Sequence, residues 1–182
     1  FGFGIRHVAS GGIGLLVDFR GNDRYQAGNF SQGTGYFYGI GMLFDKLGDD
    51  QFTGSRYSMG TAAHSAIGLF SNQAGNDRYK TLQGSSMGIA WDYSNAYFLD
   101  ASGNDRYDCL DKGFCLAQAE HNSFAFFNDK EGVDTYLVHV DKPIATNSYN
   151  GGQSLGIHLD ENGHQDIYLN EQYNNKVATS NQ

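Results

Sequence analysis

Acidic residues at a fixed spacing are the first feature of this 182-residue chain that could do chemistry. Asp18 and Asp23, Asp45 and Asp50, Asp100 and Asp105, and Asp129 and Asp134 each stand in Asp-x-x-Gly-x-Asp. A further copy carries Asn72 in place of the first acid, with Asp77. Calcium takes roughly six to eight hard oxygens from carboxylates, carbonyls and water, so these eight aspartates are candidate calcium ligands. The alternative is structural: each Asp accepts backbone N–H bonds from its own turn or a neighbouring one, while Arg24, Arg78 and Arg106 dilute the charge. No cofactor is required on that reading. Paired acids also suit glycoside hydrolysis, but a catalytic pair need occur once and this one recurs, as structural parts do.

A second set is built from different residue types. In one repeating column stand Ser10, Phe37, His64, Asp92 and His121, with Trp91 and Glu120 beside them. If the repeats stack, Asp92 lies between two imidazoles, an arrangement used in acid–base chemistry and in metal ligation. Trp91, the single tryptophan, could stack on a sugar ring. A solvated polar corner is the plain alternative. No nucleophile elbow, P-loop, dinucleotide fingerprint or zinc-protease helix occurs. A net charge of −8 and a pI near 5 recommend no nucleic-acid partner, and no apolar run reaches the ~20 residues of a membrane helix.

What positions these residues is a repeat. Gly21-Asn22-Asp23-Arg24-Tyr25 returns as Gly48-Asp49-Asp50-Gln51-Phe52, Gly75-Asn76-Asp77-Arg78-Tyr79, Gly103-Asn104-Asp105-Arg106-Tyr107 and Gly132-Val133-Asp134-Thr135-Tyr136, with a degenerate copy ending Asp166-Ile167-Tyr168. Successive aspartates are 27, 27, 28, 29 and 32 residues apart. Upstream of each turn the first five copies align without a gap. The length variation falls after the turn aromatic, so the loops after Tyr79, Tyr107 and Tyr136 are expected to protrude. With 25 Gly, one Pro and small–large alternation at period two, the pattern predicts short strands and tight turns. A unit of this length cannot bury its own apolar face, so neighbours must stack about 4.8 Å apart. The expected fold is all-β: a parallel β-solenoid (β-helix) of about six coils over residues 1–168, followed by a polar tail or cap over 169–182.

The Gly-x-Asp-x-aromatic turn resembles the second half of the RTX nonapeptide, which stacks into a calcium-binding β-roll. The whole unit resembles the Gly-Asn-Asp-x-Tyr repeats of uncharacterised bacterial cell-envelope or secreted proteins. That likeness implies a β-solenoid and an exported location, in the periplasm, on the outer surface or outside the cell. The chain opens on Phe1-Gly2-Phe3-Gly4, already inside the pattern, and reads as a piece of a longer protein. Cys109 and Cys115 either close a small loop or remain as thiols.

Two functional classes follow. In the first, the solenoid is a non-catalytic scaffold that docks other protein subunits. Two columns of small residues, Gly12/Gly39/Ala66/Ser94/Ser123 and Gly14/Gly41/Gly68/Ala96/Ala125, alternate with an apolar column of Leu15, Met42, Leu69, Tyr97, Phe126 and Ile157. Whichever set lies inside, the other leaves a face suited to packing. In the second class, the corner of His64, Asp92, His121 and Glu120 binds or cleaves a polysaccharide.

Overall fold

In the computed structural model, residues 2–3, 10–109, 114–138, 152–161, 166–168 and 178–179 are described, the first and last pairs by backbone only. The chain is an all-β solenoid of about five turns, and the described residues contain no helix and hence none that could cross a membrane. Strands are numbered in chain order and fall into three parallel sheets, each contributing one strand per coil.

The longest strands build one wall: β2 (Ile13–Val17), β5 (Ile40–Asp45), β8 (Ile67–Asn72), β11 (Asn95–Asp100), β14 (Phe124–Asp129) and β16 (Leu155–Asp160). After each turn aspartate a second sheet follows: β3 (Arg24–Gln26), β6 (Gln51–Gly54), β9 (Arg78–Thr81), β12 (Arg106–Cys109), β15 (Thr135–Val138) and β17 (Ile167–Tyr168). Two-residue strands make the third: β1 (Gly2–Phe3), β4 (Gly35–Tyr36), β7 (Ala62–Ala63), β10 (Ala90–Trp91) and β13 (Ala119–Glu120). Pairing is in register, so Leu15, Met42, Leu69, Tyr97, Phe126 and Ile157 are stacked neighbours, as are Tyr25, Phe52, Tyr79, Tyr107, Tyr136 and Tyr168. The last strand, β18 (Ala178–Thr179), runs antiparallel along β16 and covers that edge of the first sheet.

Alternation settles the core. On β5, Gly41, Leu43 and Asp45 are buried while Ile40, Met42 and Phe44 are half-buried, and β8, β11, β14 and β16 repeat this inward–outward order. The small residues face inward because the third sheet approaches there at backbone distance. A Cβ at Gly41 would collide with the carbonyl of Thr34, and one at Gly68 with that of Thr61. Beside them run two aromatic ladders. Phe70, Phe98 and Phe127 stack 4.8–4.9 Å apart and nearly parallel, and His158 continues the stack 4.8 Å beyond Phe127. Tyr79, Tyr107 and Tyr136 stack at 4.9 and 4.7 Å, meeting the Phe ladder edge to face. Offset and edge-to-face contacts suit the ring quadrupoles, so one residue type per column stabilises every coil interface.

At the corner the chain turns through two consecutive left-handed residues in each coil: Phe37–Tyr38, His64–Ser65, Asp92–Tyr93 and His121–Asn122. Non-glycine residues rarely adopt this conformation. Here it is held by bonds between coils, Tyr38 N–H to His64 O, Ser65 N–H to Asp92 O and Tyr93 N–H to His121 O.

Candidate functional site

Two polar stacks stand on opposite ends of the long strands, and the same register produces both. At the turn, each aspartate is tied to the next coil. The Asp23 N–H donates to Asp50 Oδ1 at 2.6 Å, and the pattern runs on through Asp50 to Asp77, Asp77 to Asp105, Asp105 to Asp134 and Asp134 to Asp166 at 2.6–2.7 Å. The predicted Asp column is therefore continuous, and it uses the neighbouring coil's backbone. Arg24, Arg78 and Arg106 do not neutralise it: they are exposed, and the one arginine–carboxylate pair among the described residues joins Arg106 to Asp108 at 3.9 Å.

The acid five positions earlier (six in the last coil, and replaced by Asn72 in the third) points into the same core. Asp45, Asp100, Asp129 and Asp160 are buried, and each accepts a hydroxyl from the tyrosine ladder: Tyr25 on Asp45 at 2.6 Å, Tyr79 on Asp100 at 2.5 Å, Tyr136 on Asp129 at 2.5 Å, Tyr168 on Asp160 at 2.8 Å. This partnership was legible only as the choice of Tyr over Phe at most turns. Asp18, grouped with these acids by sequence, precedes the first turn and, among the described residues, accepts the nearby Arg20 N–H at 3.1 Å. Asp23 is half-buried.

Burial dominates the electrostatics. It pushes Asp50 up to about 6 and Asp77 to about 7, with adjacent carboxylates adding to the shift and a backbone N–H opposing it. Asp100, Asp105 and Asp129 are raised for the same reason, and neighbouring charges raise Asp105 and Asp129 further. The hydroxyls of Tyr79 and Tyr107 partly offset burial at Asp100. Three acidic clusters in this column could hold a metal ion: Asp77 with Asp100 and Asp105, Asp105 with Asp129 and Asp134, and Asp134 with Asp160 and Asp166.

At the corner, His64 and His121 reach the same carboxylate. His64 Nδ1 is 2.8 Å from Asp92 Oδ2 and His121 Nδ1 is 2.7 Å from Asp92 Oδ1, all three side chains being about one-third exposed. With Asp92 ionised, each imidazole donates its Nδ1–H and is thereby oriented with Nε2 as the basic atom. Glu120 and Trp91 stand apart from the expectation. Glu120 is buried, and Trp91 packs edge-on against Tyr57 and Phe114. The rings that stand out to solvent at this corner are Tyr38 and Tyr93 instead, about two-thirds exposed. Between them lies a cleft of about 320 Å³ lined by Ser10, Phe37, His64, Ser65 and Asp92.

Cys109 and Cys115 form a disulfide. Most of the loops after Tyr107 and Tyr136, and the 169–182 segment apart from β18, lie outside the described residues. No family model, curated protein or solved structure matches this chain.

Proposed function

We propose that this solenoid is a rigid, non-catalytic scaffold that docks other protein subunits through the outer face of its long-strand sheet. The observation that carries this reading is the composition of that face. Leu15, Met42, Leu69, Tyr97, Phe126 and Ile157 form an unbroken apolar middle column, flanked by Ile13, Ile40, Ile67, Asn95, Phe124 and Leu155 on one side and by Val17, Phe44, Ser71, Leu99, Asn128 and Leu159 on the other, so that polar residues interrupt the face only at its margins. Monomers rarely leave so contiguous an apolar surface to water. Inside the sheet Ile67 is 40% exposed, and Met42, Leu69, Tyr97 and Phe126 are half-buried. The disulfide supports export, since such bonds persist in oxidising compartments, and the Gly-Asn-Asp-x-Tyr resemblance favours a bacterial envelope or secreted assembly. Calcium is the cation we assign to the acidic column, because its donors are hard oxygens.

Sedimentation analysis tests the docking face. The wild-type chain is expected to self-associate or bind apolar dye at high concentration, and Leu69→Glu with Tyr97→Glu to abolish this with unchanged far-UV circular dichroism. A monodisperse, dye-free wild-type monomer would defeat the reading. The second reading, a polysaccharide site, is favoured by the corner cleft, where Tyr38 and Tyr93 could stack on sugar rings beside His64 and Asp92. Binding of a glycan that is lost in Tyr38→Ala would bring it forward.

A further inference from the structure

The buried acids of the core column are arranged unevenly along the solenoid. From the third coil onward, each interface brings together the turn aspartate of one coil and both acids of the next. In all three clusters the contributed oxygens lie within 4.8 Å of one another, and every residue is buried. Asp100 Oδ1, Asp105 Oδ2, Asp129 Oδ1, Asp160 Oδ1 and Asp166 Oδ2 are buried atoms with no hydrogen-bond partner among the described residues. An unpaired carboxylate oxygen away from water costs several kcal/mol and demands a neutralising partner. Calcium holds its oxygens at about 2.3–2.6 Å, so ligands across one ion stand about 4.6–5.2 Å apart at most, which fits these clusters.

At the other end Asp45 Oδ1 and Asp50 Oδ2 are likewise buried without a hydrogen-bond partner among the described residues, but there no three acids among the described residues bring their oxygens together as the later interfaces do. Between Asp50 and Asp77 stands Asn72, whose Nδ2 donates to Asp77 Oδ2 at 2.8 Å and to Tyr79 Oη at 2.9 Å. The amide supplies there the positive pole that the other interfaces lack. Asp23, at the first interface, is only half-buried.

We infer that the solenoid core holds a row of three calcium ions, one at each of the last three coil interfaces, and that its amino-terminal interfaces hold none. The ligands are Asp77, Asp100 and Asp105 for the first ion, Asp105, Asp129 and Asp134 for the second, and Asp134, Asp160 and Asp166 for the third. Asp105 and Asp134 each bridge two ions. Seven carboxylates facing three divalent cations leave one residual negative charge, so the row is close to neutral where a bare column would not be. The ions act as rivets between coils, and the carboxyl-terminal half is the metal-dependent half. This rests on the assignment of calcium to the acidic column but not on the docking face.

Terbium, a calcium surrogate excited through nearby tyrosine, is the probe, because Tyr79, Tyr107 and Tyr136 hydrogen-bond to the proposed ligands. The whole chain, stripped with EDTA, is expected to take up three equivalents of terbium or calcium with tyrosine-sensitised emission, and to melt higher once loaded. Asp129→Asn should leave two equivalents and Asp105→Asn one. Both retain an Oδ1 acceptor, and Asn72 shows that the core admits an amide beside the turn aspartate. Asn72→Asp should create a fourth site with Asp50 and Asp77. Asp18→Asn, before the first turn, should still take three. Metal uptake unaffected by Asp129→Asn would place the ions on the outer turns and overturn the buried row while leaving the calcium assignment standing. No uptake, with a melting temperature indifferent to EDTA, would sink both, protons then being what neutralises the column.

Discussion

The turn edge and the corner edge of this solenoid are built by the same rule and behave in opposite ways. The turn stacks carboxylates beside tyrosines, and the corner stacks two imidazoles about one carboxylate, in both cases on successive coils about one strand spacing apart. At the turn the carboxylates are enclosed, so each must find an N–H, a hydroxyl, a proton or a cation. At the corner Asp92 is partly in water and pairs with two imidazoles that solvent also serves. Depth, not residue type, separates an element of the core from a surface group that can exchange partners freely.

Side-chain truncation should expose this difference most strongly in the aromatic residues. Phe98 is fully buried between Phe70 and Phe127 and against Tyr79, so Phe98→Ala is expected to cost about 3–5 kcal/mol in denaturant unfolding. Tyr38→Ala at the exposed corner should stay within about 0.5 kcal/mol. Comparable losses at both positions would break the contrast.

His158 offers a pH-dependent version. It occupies the Phe column, its Nδ1 is unpartnered among the described residues, and burial pushes its pKa down from 6.5 to about 3. The folded chain keeps this imidazole neutral while the unfolded chain protonates it. Its contribution is therefore intact above pH 6.5 and declines as pH falls toward 3, by up to about 1.4 kcal/mol per unit. His158→Phe extends the ladder, and its stability advantage over wild type should grow on acidification. Tyr168 keeps its bond to Asp160 in that variant. An advantage that stays flat between pH 7 and 4.5 would contradict a buried neutral His158.

The paired acids give a smaller test. Asp77→Ala removes the acceptor of the buried Asp50 N–H and should cost about 1–3 kcal/mol. Asp92→Ala removes the shared, partly exposed acceptor of two imidazoles and should cost about 0–1 kcal/mol. If the order were reversed, the corner would be the structural edge, and the comparison would have to be inverted.

The repeat alone determined much of this. Aspartates recurring at 27–32 residues with ungapped columns upstream of five of the turns were enough to place Asp23, Asp50, Asp77, Asp105 and Asp134 in one file and His64, Asp92 and His121 in another, because in-register stacking converts a period into adjacency. Alternation, however, distinguishes two faces without saying which is the core. That was decided by the third sheet, whose backbone lies against Gly41 and Gly68 and leaves Met42 and Leu69 outside. The same closure buried the acid at position 100 against the Tyr79 hydroxyl and turned Trp91 toward Tyr57. It also imposed left-handed backbone on Phe37, a residue type that seldom adopts it, and on His64, Asp92 and His121, which tolerate it better. Depth and facing depend on how distant segments pack together, and no periodicity along the chain records that.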